Sequence, residues 1–140
     1  MPLLAGYSGT PLPKKLRITE GSIVALLHAP TGFEAELTPL PGDVRLQKRS
    51  EGATVILAFY KSAAALAREI PLLAREIKEG RTLWLIWPKQ SSAVVTDLKE
   101  DVVRDLTLPT GLVDYKVCAV NDTWSGLAFA ARRAKSANAK

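Results

Sequence analysis

Cysteine and histidine occur once each in the 140 residues of the chain. The single cysteine, Cys118, excludes a disulfide within the chain and fits a reducing, cytoplasmic setting. With His28 as the one histidine, the chain falls short of the three or four such ligands that a zinc site usually uses. No apolar run approaches the roughly 20 residues that cross a bilayer. We therefore expect a cytoplasmic protein with neither a zinc site nor a membrane contact.

The two ends of the sequence carry no recognisable targeting or recognition motif. The first residues are apolar but lack the basic stretch and the long apolar core of a signal peptide. Lysine and arginine outnumber aspartate and glutamate by 19 to 14, a net charge of +5. Part of this excess lies in residues 132–140, which we predict to form a disordered basic tail. Basic tails more often serve solubility, so nucleic acid is not the favoured partner.

Apolar runs bounded by proline and glycine predict strands separated by helices. Runs that are apolar at nearly every position indicate strands buried on both faces, as in a parallel sheet. The predicted strands cover residues 22–29, 44–48, 53–60, 82–87, 112–120 and 124–132. Helices are predicted at residues 33–37, from 63 to about 79, and at 97–106. The alternation predicts an α/β domain over residues 1–131, with an amino-terminal arm (1–21), right-handed crossovers and a closing antiparallel hairpin.

Local signals predict where the helices begin. Thr10 is expected to cap a short helix in the amino-terminal arm, and Ser62 to cap the longest helix. Thr96 or Asp97 is expected to cap the last helix. Pro71 lies within the longest helix, which it is expected to kink or split.

Polar residues follow the strand that ends near Pro88: Lys89, Gln90, Ser91 and Ser92. Open α/β sheets bind ligands outside the carboxyl ends of their strands, where the strand order reverses. An ammonium group, an amide and two hydroxyls ahead of a helix are suited to an anion. We therefore predict a site for a small anionic ligand here. The alternative is an ordinary polar connection with a solvated lysine.

Four more residues are candidate ligand contacts. His28 ends the first strand and could act as a base or a proton donor, although a backbone hydrogen bond would also account for it. Asp122 and Trp124 lie in the hairpin turn, where Asp122 could instead order the bend and Trp124 pack on the sheet edge. Tyr7 could cover the crevice, or the arm that carries it could dock for stability alone. Cys118 reads as a small core residue rather than a nucleophile.

Three motifs suggest a relationship with known proteins. They are Gly6-Tyr-Ser-Gly-Thr-Pro-Leu12 with Lys14-Lys-Leu16, Trp87-Pro-Lys89 with Ser91-Ser92, and Val117-Cys-Ala-Val-Asn-Asp-Thr-Trp-Ser-Gly-Leu127. Together they resemble a family of short bacterial proteins of unknown function, over nearly the whole chain. The resemblance implies a bacterial protein and transfers no activity.

A second resemblance concerns the fold. The run from Leu72 to Pro88 is similar to the helix, glycine turn and strand found late in class I S-adenosylmethionine-dependent methyltransferases. The last helix and the hairpin resemble the carboxyl-terminal half of that fold. The resemblance implies a truncated Rossmann-like sheet of six strands in the order 2-1-3-4-6-5, with one strand-helix unit absent. The strand order would reverse between the first and third strands, beside the loop Pro30-Thr-Gly32.

The cofactor signature of that fold is missing from the sequence. The resemblance implies an acidic residue and Gly-x-Gly-x-Gly after the first strand, where this chain has His28-Ala-Pro-Thr-Gly32. Glycines let the backbone approach a ligand, and Pro30 lacks an N–H. The second strand ends at Gln47-Lys48-Arg49, with Glu51 following, rather than at a carboxylate for ribose hydroxyls. We therefore expect neither S-adenosylmethionine nor another cofactor, and a basic strand end suits a phosphate better.

These observations leave three functions open. The favoured one is a non-catalytic module that binds a small ligand or a partner on a degenerate methyltransferase-like fold. The alternative is a small divergent enzyme, a transferase. The third is a protein associated with nucleic acid through its basic tail. The sequence does not predict an oligomeric state.

Overall fold

The computed structural model describes residues 10–131. The chain follows a strand-helix alternation that ends in a hairpin. The elements are α1 (Leu12–Lys15), β1 (Ile23–Leu27), α2 (Phe33–Glu36), β2 (Arg45–Gln47), β3 (Val55–Phe59), α3 (Ala63–Glu76), β4 (Thr82–Pro88), α4 (Glu100–Thr107), β5 (Leu112–Ala119) and β6 (Trp124–Ala131). The six predicted strands are present: β1, β2 and β3 are two or three residues shorter than predicted, β5 and β6 are one residue shorter, and β4 is one residue longer.

The strands form one mixed sheet in the order β2-β1-β3-β4-β6-β5. The strands β2, β1, β3 and β4 pair in parallel, and β6 lies antiparallel between β4 and β5. The predicted fold class is therefore confirmed, including the strand order and the carboxyl-terminal hairpin. The chain leaves β1 toward β2 and returns to β3 on the other side. A crevice between the carboxyl ends of β1 and β3 is the expected ligand position in such a sheet.

Two helical layers cover the two faces of the sheet. One core joins the sheet to α3 and α4 and contains Leu66, Ile70 and Val103. The other lies under α1 and α2 and contains Leu16 and Phe33. Alternate residues of the central strands serve the two cores, because successive side chains of a strand point to opposite faces.

The longest described helix, α3, has the predicted amino-terminal cap. Ser62 has an extended backbone, and its Oγ accepts a hydrogen bond from the Ala65 N–H at 3.1 Å. Pro71 does not split the helix, which continues to Glu76. A proline removes the hydrogen bond to the carbonyl four residues earlier, here Ala67. Both residues are exposed, so water can bind that carbonyl.

Two other predicted caps are wrong. The helix α1 begins one residue later than expected, so the cap position falls to Pro11 and not to Thr10. The cap position of α4 is Lys99, because Thr96 and Asp97 bind the start of α3 instead. Thr96 donates to the Lys61 carbonyl at 2.7 Å, and Asp97 Oδ1 accepts from the Ala63 N–H at 2.8 Å.

No helix within residues 10–131 is long and apolar enough to cross a membrane.

Replacing Ser62 with alanine is expected to lower the free energy of unfolding by about 1 kcal/mol, because the Ala65 N–H loses its acceptor. Urea unfolding of the two proteins would measure the difference. Ser62→Asp restores an acceptor and should recover most of it, whereas Ser91→Ala on an exposed loop should leave stability unchanged. If Ser62→Ala unfolds with the same free energy as the wild type, the hydrogen bond from the Ala63 N–H to Asp97 alone suffices to cap α3.

Candidate functional site

A hydrogen-bonded cluster lies where β1 and β3 end. His28, directly after β1, places its Nε2 2.9 Å from Oε1 of Glu69 on α3. Tyr60, directly after β3, donates from its hydroxyl to the same oxygen at 2.6 Å. The rings of His28 and Tyr60 meet edge to face, with centroids 5.5 Å apart. The His28–Glu69–Tyr60 cluster therefore joins both strand ends at the crevice to the helix that follows.

The charges of this cluster follow from its surroundings. Burial alone would raise the pKa of Glu69, but hydrogen bonds from Tyr60 and His28 and the nearby charges of His28 and Arg68 hold it below its ordinary value. Burial, together with the hydrogen bond to Glu69 and its charge, raises the pKa of Tyr60 well above its usual range. At neutral pH the cluster thus contains a carboxylate and a protonated phenol that donates to it.

Two cavities border His28. The first, the β1–β2 cavity, has a volume of about 540 Å³. Its lining comprises the end of β1, the loop after it, one residue of α2 and one residue after β2: Leu26, Leu27, His28, Ala29, Pro30, Thr31, Gly32, Glu34 and Lys48. The second, the β3–α3 cavity, has a volume of about 480 Å³. Its lining is more aromatic and more charged: His28, Phe59, Tyr60, Lys61, Ser62, Ala65, Arg68, Glu69 and Trp124.

Two of the predicted site residues, His28 and Trp124, line the β3–α3 cavity together. His28 binds a side chain, Glu69, in place of the backbone partner that was considered for it. Trp124 is buried and packs edge to face against Phe59, with ring centroids 5.2 Å apart. It is therefore a wall of the cavity as well as part of the core.

The loop after β4 is held by hydrogen bonds within the loop and by one to the hairpin turn. The Lys89 N–H donates to the Thr123 carbonyl at 2.7 Å. The Ser92 hydroxyl donates to the Lys89 carbonyl at 2.8 Å, so this group is engaged in the turn. Gln90 and Ser91 are exposed. None of the four residues is part of the described lining of the two cavities at His28, and an anion site on this loop stays a prediction.

The hairpin turn contains a side-chain hydrogen-bond acceptor, Asn121. Its Oδ1 accepts hydrogen bonds from the N–H groups of Thr123 and Trp124, both at 2.9 Å. Asparagine forms such turns readily, because its side chain reaches the backbone two residues on. Asp122 itself is exposed. Tyr7 and the predicted basic tail lie outside the described residues.

Cys118 lies in β5 and contributes to the core beneath α1 and α2. Burial raises the pKa of its thiol, although Lys15, Lys116 and Lys89 act in the opposite direction. A protonated, buried thiol is a poor nucleophile. Within residues 10–131, no group of three or more histidine, cysteine or acidic side chains could hold a metal ion.

Sequence reasoning missed Glu69 and Tyr60. Tyr60 carried a usable signal, because it follows a buried strand at the same edge of the sheet as His28. Glu69 carried a weaker one, since it lies next to Ile70 on the helix stripe that packs on the sheet. The contact between His28 and Glu69 spans 41 positions of the sequence, and no local pattern indicates it.

No family model matches the sequence, and no curated protein matches it. Solved structures do match this chain. The O-methyltransferase family 2 protein of Planctomyces limnophilus matches with a TM-score of 0.60 and 9% identity, over 81% of this chain and 50% of its own. The pyocyanin biosynthetic protein PhzM matches with a TM-score of 0.62 and 11% identity, over 86% of this chain and 53% of PhzM. An S-adenosylmethionine-dependent methyltransferase of Clostridium acetobutylicum matches with a TM-score of 0.56 and 8% identity, over 87% of each chain.

The fold is methyltransferase-like. This chain spans about half the length of the first two of these proteins. Identities of this size show a shared fold and nothing finer. The expected resemblance to class I methyltransferases is therefore confirmed at the level of architecture. The resemblance to a family of short bacterial proteins stays a prediction.

The residues of the β1–β2 cavity do not fit S-adenosylmethionine in the way that this fold implies. Gly32, with φ +84°, is the one glycine in the lining of this cavity, where the fold implies a loop with three. Pro30 has no N–H to offer. The residue after β2 that lines the cavity is Lys48, and the carboxylate that lines it, Glu34, belongs to α2.

Proposed function

We propose that the protein binds a small anionic ligand in the β1–β2 cavity. The observation that carries this proposal is the presence of Lys48 at the end of β2, where a carboxylate would be needed for ribose hydroxyls. Lys48 forms no ion pair with any residue in the range 10–131, so its charge is available to a ligand. An unpaired ammonium group beside a cavity favours phosphate or carboxylate over an uncharged group.

The conformation of His28 supports a role at the same place. Its backbone has φ +60°, a left-handed conformation that residues other than glycine adopt at a cost of about 1–3 kcal/mol. Such residues concentrate at binding and catalytic sites. Glu69 binds Nε2, and no described residue binds Nδ1, so a ligand can use that atom.

The volume of the cavity sets the size of the ligand. A cavity of about 540 Å³ lies within the range of small-molecule sites, which runs from about 300 to 1,000 Å³. A nucleotide or another phosphorylated metabolite would fit. A macromolecule would need a more extended surface.

A transferase is the second candidate, and one feature favours it. The two cavities share His28, so two small molecules could lie side by side with their near ends at the same imidazole. Group transfer needs two reactants held next to each other. The methyltransferase of Clostridium acetobutylicum is covered by this chain over 87% of its length, so a fold of this extent can carry that function.

The imidazole of His28 provides a direct test, because it is the only histidine in the chain. Proton NMR of this ring, followed at constant pH during titrations with adenosine 5′-monophosphate, inorganic phosphate and S-adenosylmethionine, reports on the position that the two cavities share. We expect the nucleotide to shift the His28 resonances. Lys48→Ala should weaken this binding about tenfold, as the loss of a charge-assisted contact implies. Lys99→Ala, which removes the same charge outside both linings, should have no effect.

The possible results separate the two functions. Shifts of the His28 ring with the nucleotide that depend on Lys48 support the anion site. Saturation with S-adenosylmethionine, together with a methylated product in the presence of a candidate acceptor, would favour the transferase instead. An unchanged ring resonance at millimolar concentrations of all three compounds would overturn the proposal.

A further inference from the structure

A third cavity lies at the opposite end of the strands from His28, among the amino ends of β1, β3 and β4. Its volume is about 570 Å³. Ser22, Thr54 and Thr82 line it from the amino ends of the strands. Lys14 lines it from α1, and Arg17 lines it from two residues after the end of that helix. We call it the amino-end cavity. It is remote from the His28–Glu69–Tyr60 cluster, because parallel strands separate their amino ends from their carboxyl ends.

Two cations of this cavity have no acidic partner. Neither Lys14 nor Arg17 forms an ion pair with another residue of the range 10–131. Glu20 also lines the cavity without pairing with either of them. The charged groups of the lining therefore sum to an excess of positive charge that an anion would neutralise.

The hydroxyls of the lining are already engaged. Thr54 Oγ1 accepts from the Ile23 N–H at 3.0 Å and donates to the Ile23 carbonyl. The Ser22 hydroxyl accepts from the Thr19 N–H at 3.0 Å. The two cations are consequently the groups through which this cavity would bind a ligand.

Arg17 occupies a backbone position that normally belongs to glycine. Its φ is +67°. Its N–H donates to the Lys14 carbonyl at 3.1 Å, and the Ile18 N–H donates to the Pro13 carbonyl at 2.9 Å. This pair of hydrogen bonds ends α1 in a Schellman motif, in which glycine is preferred at the left-handed residue. An arginine there stores strain, and strain of this kind points to a use for the side chain.

The exposed guanidinium of Arg17 contacts an aromatic ring and keeps its N–H donors. It lies 5.6 Å from the centroid of the Tyr115 ring. The Tyr115 hydroxyl is hydrogen-bonded to Thr82 Oγ1 at 2.8 Å, which fixes the ring beside the cavity. A contact with an aromatic face leaves the N–H groups of an arginine free to bind an oxyanion in pairs.

We propose that the amino-end cavity binds a phosphate-bearing small molecule through Lys14 and Arg17. Arginine and lysine together are suited to a phosphate dianion, the former as a planar double donor and the latter as a point charge. The volume also has room for a nucleoside attached to that phosphate. This site is independent of the ligand proposed for the β1–β2 cavity.

The test is a titration of the ¹⁵N-labelled protein with inorganic phosphate and with adenosine 5′-monophosphate, followed through the backbone amide signals of Gly21, Ser22 and Gly80. We expect these signals to shift with either compound. Arg17→Gly should weaken the effect about tenfold or more, as the loss of a paired charge-assisted contact implies. The same variant should remain folded, since glycine relieves the strain at φ +67°.

Two controls separate this site from the other edge of the sheet. Lys48→Ala should leave the Gly21 and Gly80 shifts unchanged, and Arg17→Gly should leave the His28 ring shift unchanged. If the nucleotide binds more tightly than phosphate, the nucleoside also contacts the cavity. If the two bind equally, only the phosphate group is recognised. Unshifted amides at millimolar phosphate and nucleotide, or wild-type binding by folded Arg17→Gly, would overturn the proposal.

Discussion

Replacing Trp84 with alanine is expected to lower the free energy of unfolding by about 3–5 kcal/mol, the usual cost of emptying a large core position. Trp84 has no exposed surface and packs in the core beneath α1 and α2. Its indole N–H donates to the Leu16 carbonyl at 2.9 Å, within that core. The variant therefore loses a large apolar side chain and the hydrogen bond that attaches the end of α1 to β4.

Urea unfolding would measure the loss in the free energy of unfolding, and two further variants help to interpret it. Trp84→Phe keeps an aromatic ring but leaves the Leu16 carbonyl without a donor, which should cost about 1–3 kcal/mol. That variant stays measurable even if Trp84→Ala does not fold. Leu72→Ala is the matched control, because Leu72 is 61% exposed and should change stability by less than about 0.5 kcal/mol. A loss below about 1 kcal/mol for Trp84→Ala would contradict the packing described for this core.

Replacing Tyr60 with phenylalanine is expected to lower stability by about 1–2 kcal/mol at neutral pH. A hydrogen bond to a charged group contributes about 1.5–3 kcal/mol, and the 38% exposure of the Glu69 side chain weakens it through solvent screening. The loss should depend on pH. The pKa of Glu69 in the folded protein lies below its ordinary value, so its stabilising contribution is present above the unfolded pKa and is lost as pH falls through the folded pKa.

Unfolding curves of wild type and Tyr60→Phe at neutral and at acidic pH would check this. We expect the difference between the two proteins to shrink on acidification, because a protonated Glu69 no longer favours the phenol as donor. Tyr115→Phe is the matched control. It removes a hydrogen bond to the neutral Thr82 hydroxyl, so its cost should be similar at both pH values. A Tyr60→Phe difference that is constant with pH would mean that the phenol does not stabilise the carboxylate.

The sheet could be predicted because its signals are local. Strands buried on both faces read as continuous apolar runs, and β3 and β4 are buried at every residue. The strand order did not follow from these runs. It came from the resemblance to the methyltransferase fold, since one sequence does not say which strands are neighbours.

Several errors have a different cause, which is contact between distant parts of the chain. Thr96 and Asp97 have the side chains of good helix caps, but they bind residues 61 and 63, more than 30 positions away. The place of His28 at a strand end predicts a site residue, but no motif on α3 indicates its partner Glu69. Arg17 went unnoticed because the rule for its position names glycine, and only its φ reveals the exception.

The position of β6 has a consequence for the order in which the sheet can be completed. It lies between β4 and β5, so β5 has no strand neighbour until β6 has entered the sheet. Leu127 and Phe129 complete one core and Ala128 the other. Both cores therefore remain incomplete until residues 124–131 have joined the sheet. Until that step, the apolar strands of the parallel half lack part of their cover, and a partly folded chain of this kind is prone to aggregate.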